Sequence, residues 1–129
     1  MNKAIEDKKI RTFTDLNAWR EGHKLVLMIY KITRSFPKEE LFGLTSQIRR
    51  CAVSITSNIA EGFSRKSYKE KVVFYSTALG SLTELQNQLL IARDVKYITE
   101  ATFQKIADQT VLVHKIINGL IRESKIRHS

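Results

Sequence analysis

A chain of 129 residues with 43% hydrophobic content and one proline fits a single globular domain and excludes a disordered or low-complexity polymer. Against 13 acidic residues stand 22 Lys and Arg, a net charge of +9. Such a field favours polyanions, meaning nucleic acid or an anionic surface, although surplus lysine also serves solubility.

Residues 1–14 are polar, mixed in charge and read as an arm. They lack the continuous apolar core of a secretory signal, and no uncharged apolar run reaches the ~20 residues that span a bilayer. A cytoplasmic protein with no membrane partner is expected. A first helix is predicted over about 16–35, with Leu16, Trp19, His23, Val26, Leu27 and Tyr30 as its buried face. Pro37 ends it. A second helix is predicted over about 44–61, with Gly62 as a left-handed stop. Ser67 and Glu70 match the capping box that opens a third helix, which runs to about residue 93 on Val72, Tyr75, Leu79, Leu82, Leu85 and Leu89. Gln86 interrupts that face and requires a hydrogen-bond partner. Ser76, Gly80, Thr83 and Asn87 line a small-residue face beside it, where Gly80 predicts close approach of another backbone, in the bundle or between subunits. Thr99 caps a fourth helix whose Phe103, Ile106, Thr110, Val113, Ile117 and Leu120 form a heptad-like seam. Four long helices with short connections predict an all-α, antiparallel up-down-up-down four-helix bundle over 15–124, with a basic tail at 125–129.

The most informative stretch is 47–62. Wound at about 100° per residue, Gln47, Arg50, Ser54, Asn58 and Glu61 fall within an arc of about 80°. Leu44, Ile48, Cys51, Ala52, Ile55, Ile59 and Phe63 fill the adjoining arc. Polar groups at the shoulder of a core need partners, so a structural polar network is expected, internal or between subunits. A buried Arg50 needs a carboxylate, supplied by Glu61, Glu84 or both.

Chemistry finds little support. His23, His114 and His128 lack the Glu-x-x-His spacing of a di-metal bundle, and neither metal nor other cofactor is expected. Ser54 and Ser57 have no histidine near them in sequence and sit on no nucleophile elbow, and no glycine-rich phosphate loop is present. The single Cys51 excludes an internal disulfide and reads as a small core residue. No enzyme is expected. Basic residues carry more. Arg20, Lys24, Lys31 and Arg34 lie on one side of the first helix. Arg65, Lys66, Lys69 and Lys71 cluster at the turn into the third, and Arg122, Lys125 and Arg127 make the last residues basic. The first eight are the candidate nucleic-acid-binding residues, since cations spaced along a helix can track phosphates without reading bases.

The run Gln47-Ile48-Arg49-Arg50, then Ser54, then Asn58-Ile59-Ala60-Glu61-Gly62 resembles the four-helix-bundle family encoded within intervening sequences of bacterial 23S ribosomal RNA genes. Trp19, Tyr30, Phe36-Pro37-Lys38-Glu39-Glu40, Phe42-Gly43-Leu44 and Ala78-Leu79-Gly80-Ser81-Leu82 with Glu84-Leu85 extend the likeness over about 16–100. Of the basic residues, only Arg49, Arg50 and Arg65 fall within it. The resemblance implies a cytoplasmic homo-oligomer, a pentamer of bundles. The family is similar to the accessory variability protein of diversity-generating retroelements, which implies nucleic-acid binding. Together these readings favour a non-enzymatic, oligomeric nucleic-acid-binding protein, with structured RNA ahead of DNA. The alternative is a scaffold for an acidic protein partner, and an RNA-processing enzyme stands third.

Overall fold

The computed structural model describes residues 9–128. Residues 1–8 of the predicted arm and Ser129 of the predicted tail lie outside them. Four helices follow in order: α1 (Asn17–Thr33), α2 (Leu44–Ser64), α3 (Tyr68–Asp94) and α4 (Glu100–His128). Each packs on its chain neighbour and α4 closes back on α1, with no diagonal contact among the described residues. This is the predicted up-down-up-down bundle. Helix α4 runs on through Lys125 to His128 and so takes in residues read as tail. A 3-10 turn at Phe13–Asp15, capped by Thr12, occupies the end of the predicted arm.

The core is a column of aliphatic side chains from all four helices, centred on Leu25, Ile29, Ile48, Ile55, Leu82, Leu85, Ile106 and Ile117, with Tyr75 at 1% exposure. Full burial of one such side chain stabilises by roughly 1.5–3 kcal/mol. The phases predicted for α2, α3 and α4 recur here. That of α1 is corrected. Its inward line is Ala18, Gly22, Leu25, Val26, Ile29 and Thr33, while Leu27 is 56% and Tyr30 40% exposed. Small residues set this rotation, because a Cβ on Gly22 would stand 3.1 Å from Thr56 Cγ2 of α2. The backbones therefore approach along the Ala18–Gly22 line. Trp19 and His23 stack on the flank, ring centroids 4.6 Å apart.

Two glycines depart from their predicted roles. Gly62 is helical, not a left-handed stop, and α2 continues to Ser64. A Cβ on Gly62 would lie 2.6 Å from Tyr75 Cε1, so the glycine is a notch for the ring. Gly80 has nothing within 4 Å of where its Cβ would be and permits no close approach inside the chain.

The far end of the bundle is tied by a long-range buckle. Helix α3 ends in a Schellman turn: Lys96 N–H bonds Arg93 O (3.0 Å) and Tyr97 N–H bonds Ala92 O (2.9 Å), with Lys96 in the left-handed region at φ 68°. The turn carries Tyr97 against Phe36 and lets its hydroxyl donate to Glu40 Oε2 at 2.7 Å. The other carboxylate oxygen of Glu40 accepts from Leu44 N–H (3.1 Å), satisfying one free donor at the start of α2. These two donors hold the Glu40 carboxyl below its ordinary range. The predicted partner of Gln86 is also present, as its Nε2 donates to Thr110 Oγ1 of α4 at 3.1 Å.

Because Tyr75 is enclosed, its ring cannot retreat from an added methyl group. Gly62→Ala is expected to destabilise by about 1–3 kcal/mol, the usual cost of overpacking. Urea unfolding followed by circular dichroism measures this, and an unchanged midpoint would remove the notch from the account.

Candidate nucleic-acid interface

The polar stripe of α2 resolves into an inner part and an outer part. Ser54 Oγ shares a 2.9 Å hydrogen bond with Ser81 Oγ of α3, and Asn58 Nδ2 donates to both Ser54 Oγ (3.1 Å) and Ser54 O (2.8 Å). Beside them, Cys51 donates its thiol to Ser81 O at 2.9 Å. Burial, reinforced by the Glu84 carboxylate, pushes that thiol up to about 12. Such a group holds its proton at neutral pH and is a packing residue.

Gln47, Arg50 and Glu61 form the outer part and are exposed in the chain. The expected buried pairing of Arg50 with Glu61 or Glu84 is corrected. Glu61 pairs with Arg65, one turn on, at 3.2 Å, and its side chain is 58% exposed. Glu84 accepts from Gln88 Nε2 at 3.4 Å, and Arg50 meets no carboxylate among the described residues. The reason lies in helix phase. A polar arc at the core's shoulder turns its short side chains toward α3, while the long ones extend past the contact into solvent.

The eight candidate phosphate-binding residues do not form one surface. Helices α1 and α3 run one way and α2 and α4 the other. Lys31 and Arg34 consequently stand at the end that holds the α3–α4 turn. Arg65, Lys66, Lys69 and Lys71 stand at the opposite end, with Arg20 and Lys24 on the nearer half of α1. Several are engaged within the chain. Arg20 lies 3.9 Å from Asp15 and donates to Thr14 O at 3.0 Å. Lys24 pairs with Glu21 at 3.2 Å. Arg65 covers the Phe74 ring at 4.5 Å as well as pairing with Glu61.

Lys71 turns inward, donating to Phe63 O at 2.7 Å and Gly62 O at 3.4 Å, the last carbonyls of α2. Burial lowers its pKa. It is a helix cap, not a free cation. Lys31, Arg34, Lys66 and Lys69 remain exposed without an acidic partner among the described residues. Arg49 is structural too, donating to Thr33 Oγ1 (2.8 Å) and covering the Tyr30 ring at 4.9 Å.

Sequence reasoning noted Arg122 only among the basic last residues and passed over Lys105 and Lys115 on α4. Lys115 and Arg122 flank His114 and Asn118 along the cleft against α3. Lys105 and Lys31 face each other across an α1–α4 cleft lined by Met28, Ile32 and Ile106. The signal was present as polar residues in steps of four, His114, Asn118 and Arg122, but the apolar seam of the same helix drew attention away. Among the described residues, no three His, Cys, Asp or Glu side chains are grouped to hold a metal ion, and no helix is long and apolar enough to cross a membrane.

The fold and the distribution of charge define a small basic four-helix bundle whose unpaired cations lie at both ends and along α4. The chain belongs to the 23S rRNA-intervening sequence protein family, which it matches over residues 14–119. No curated protein matches the sequence. A crystal structure of a protein of unknown function from the S23 ribosomal protein family of Bacteroides thetaiotaomicron has a similar fold. Its TM-score is 0.75 at 21% identity, over 81% of this chain and 95% of that one.

An exposed ion pair contributes about 0–1 kcal/mol. Glu61→Ala is therefore expected to leave the melting temperature nearly unchanged. Lys71→Ala, which strips the cap from α2, is expected to cost up to about 1 kcal/mol. Thermal melts of the two variants decide between them, and the reverse order would restore Glu61 to a buried network.

Proposed function

We propose that this protein is a non-enzymatic homo-oligomer that binds structured RNA through its phosphates, without strong sequence choice. The observation that carries the reading is the unneutralised charge. Only Arg20, Lys24, Arg65 and Arg93 have a carboxylate within 4.0 Å among the described residues. Lys31, Arg34, Lys66 and Lys69 stay free to meet phosphates. Cations of this kind release counterions from a nucleic acid and supply affinity with little sequence information. The family resemblance favours RNA over DNA and carries the link to the retroelement accessory protein.

Assembly is supported by the outer face of α3. Val73, Ser76, Gly80, Thr83, Asn87 and Ile91 are all exposed, two of them aliphatic, and Gly80 has open space above it. A second copy is the proposed occupant, with Arg50 and Gln47 at the margin of the contact. The family resemblance supports a pentamer as that assembly and the cytoplasm as its location.

A titration of RNA binding against salt tests the reading. The logarithm of affinity is expected to fall linearly with the logarithm of salt, by about 0.7–0.9 per phosphate neutralised. Light scattering of the same preparation is expected to give a mass several times the 14.9 kDa of one chain. Absence of RNA binding at low salt overturns the function and leaves an acidic protein partner as the use of the charge. A strict monomer overturns the assembly.

A further inference from the structure

Between α3 and α4 the bundle surface opens into one continuous groove of two unlike halves. The wider half, about 560 Å³, is lined by Gln86, Val111, His114, Lys115, Asn118 and Arg122. The narrower, about 170 Å³, shares Gln86 and Val111 and continues over Leu89, Leu90, Phe103 and Ala107. No carboxylate lines either half. The two clefts beside Leu16 and Leu120, in contrast, both contain Glu123.

The polar groups here are already set. Asn118 Nδ2 lies 3.1 Å from His114 Nδ1, an amide donor facing that ring nitrogen, which leaves Nε2 as the ring nitrogen without a partner among the described residues. Gln86 spends its amide nitrogen on Thr110, leaving its carbonyl oxygen to accept. Lys115 and Arg122 are exposed, have no acidic partner among the described residues and stand about 10 Å apart along the helix. At the Phe103 end, the Arg93 guanidinium lies 4.7 Å from the ring centroid and is anchored to Asp94 at 2.9 Å.

The geometry points to this groove as the seat of an unpaired nucleotide of the bound RNA. Lys115 and Arg122 take phosphate oxygens, and the Leu90–Val111–Phe103 end takes the base. His114 Nε2 and the Gln86 carbonyl offer polar contacts to the base edge. The inference rests on the RNA reading above and adds where an unpaired segment sits and what chemistry selects it. Side chains cannot read the deep groove of an A-form helix, so recognition of structured RNA falls on splayed-out loop bases. A cationic groove with an apolar platform suits such a base, because contact with its flat face tolerates any sequence. An acidic peptide would satisfy the cations but leave the apolar half empty.

Fluorescence anisotropy with two RNAs of equal phosphate number, a hairpin with an unpaired loop and a blunt duplex, tests the assignment. The unaltered protein is expected to prefer the hairpin. Lys115→Ala/Arg122→Ala is expected to weaken hairpin binding about tenfold or more and to reduce the salt slope by about 1.4–1.8, two phosphates' worth. Leu90→Asn/Val111→Asn, at side chains 40% and 63% exposed, is expected to keep the slope and lose the preference. Lys66→Ala/Lys69→Ala is expected to weaken both RNAs and keep the preference. Thermal melts of all three variants should match that of the unaltered protein.

Groove variants that bind the hairpin like the unaltered protein overturn the groove and leave the RNA reading standing. Binding of neither RNA by the unaltered protein overturns both. Polyglutamate that displaces the hairpin as well as RNA of equal charge does overturns the nucleotide assignment in favour of an acidic peptide.

Discussion

Helices α2 and α3 are antiparallel, long and joined by three residues, and they stay in register because one has a gap where the other has a ring. Tyr75 is fully enclosed and fills the space left by the missing side chain of Gly62. About two to three turns further along α2, the contact is kept narrow by Cys51, Ser54 and Ser81, which are small enough to hydrogen-bond across it. The register brings Ile48, Ile55 and Ile59 of α2 into one buried core with Ala78, Leu82 and Leu85 of α3. Helix α1 can then approach α2 along Gly22. With the core fixed in this way, the long polar side chains on the shoulder of α2 find no buried partner across the α2–α3 contact: Glu61 pairs with Arg65 at the surface and Arg50 meets no carboxylate among the described residues.

This explains why the polar stripe divides. Seen as an arc it is a single feature, but reach separates its members. Ser54 and Asn58 close their hydrogen bonds inside the α2–α3 contact, whereas Arg50, Gln47 and Glu61 pass beyond it. The single polar arc of the helical wheel is thus two things: a serine and asparagine weld inside the contact, and a rim of longer side chains exposed to solvent.

Local phase was legible in the sequence wherever the helix decides it alone. The caps at Ser67 and Thr99 and the partner of Gln86 follow from periodicity and short-range chemistry. Features that depend on two helices meeting were not. Gly62 reads as a stop because glycine often ends helices, and only the position of Tyr75, thirteen residues on, shows it as a notch. The wheel of α1 favours its large residues Trp19, Leu27 and Tyr30, yet the inward line is chosen by small ones. Glu40 and Tyr97 are 57 residues apart, and nothing local to either announces their bond. The candidate cations suffered in the same way. Their clustering in sequence said nothing of Lys71 turning inward or of Lys31 lying at the opposite end of the bundle from Lys66.

Charge in this protein therefore has two uses, one engaged in pairs and caps within the chain and one left over. Lys24 and Lys71 belong to the first, while Lys31, Lys66, Lys69 and Lys115 belong to the second. Lysine acetylation followed by mass spectrometry, with and without RNA, separates them most directly. The account predicts that RNA protects Lys31, Lys66, Lys69 and Lys115 from acetylation and leaves the reactivity of Lys24 and Lys71 unchanged. Protection confined to Lys24 and Lys71, or equal reactivity of every lysine in the presence of bound RNA, would contradict it.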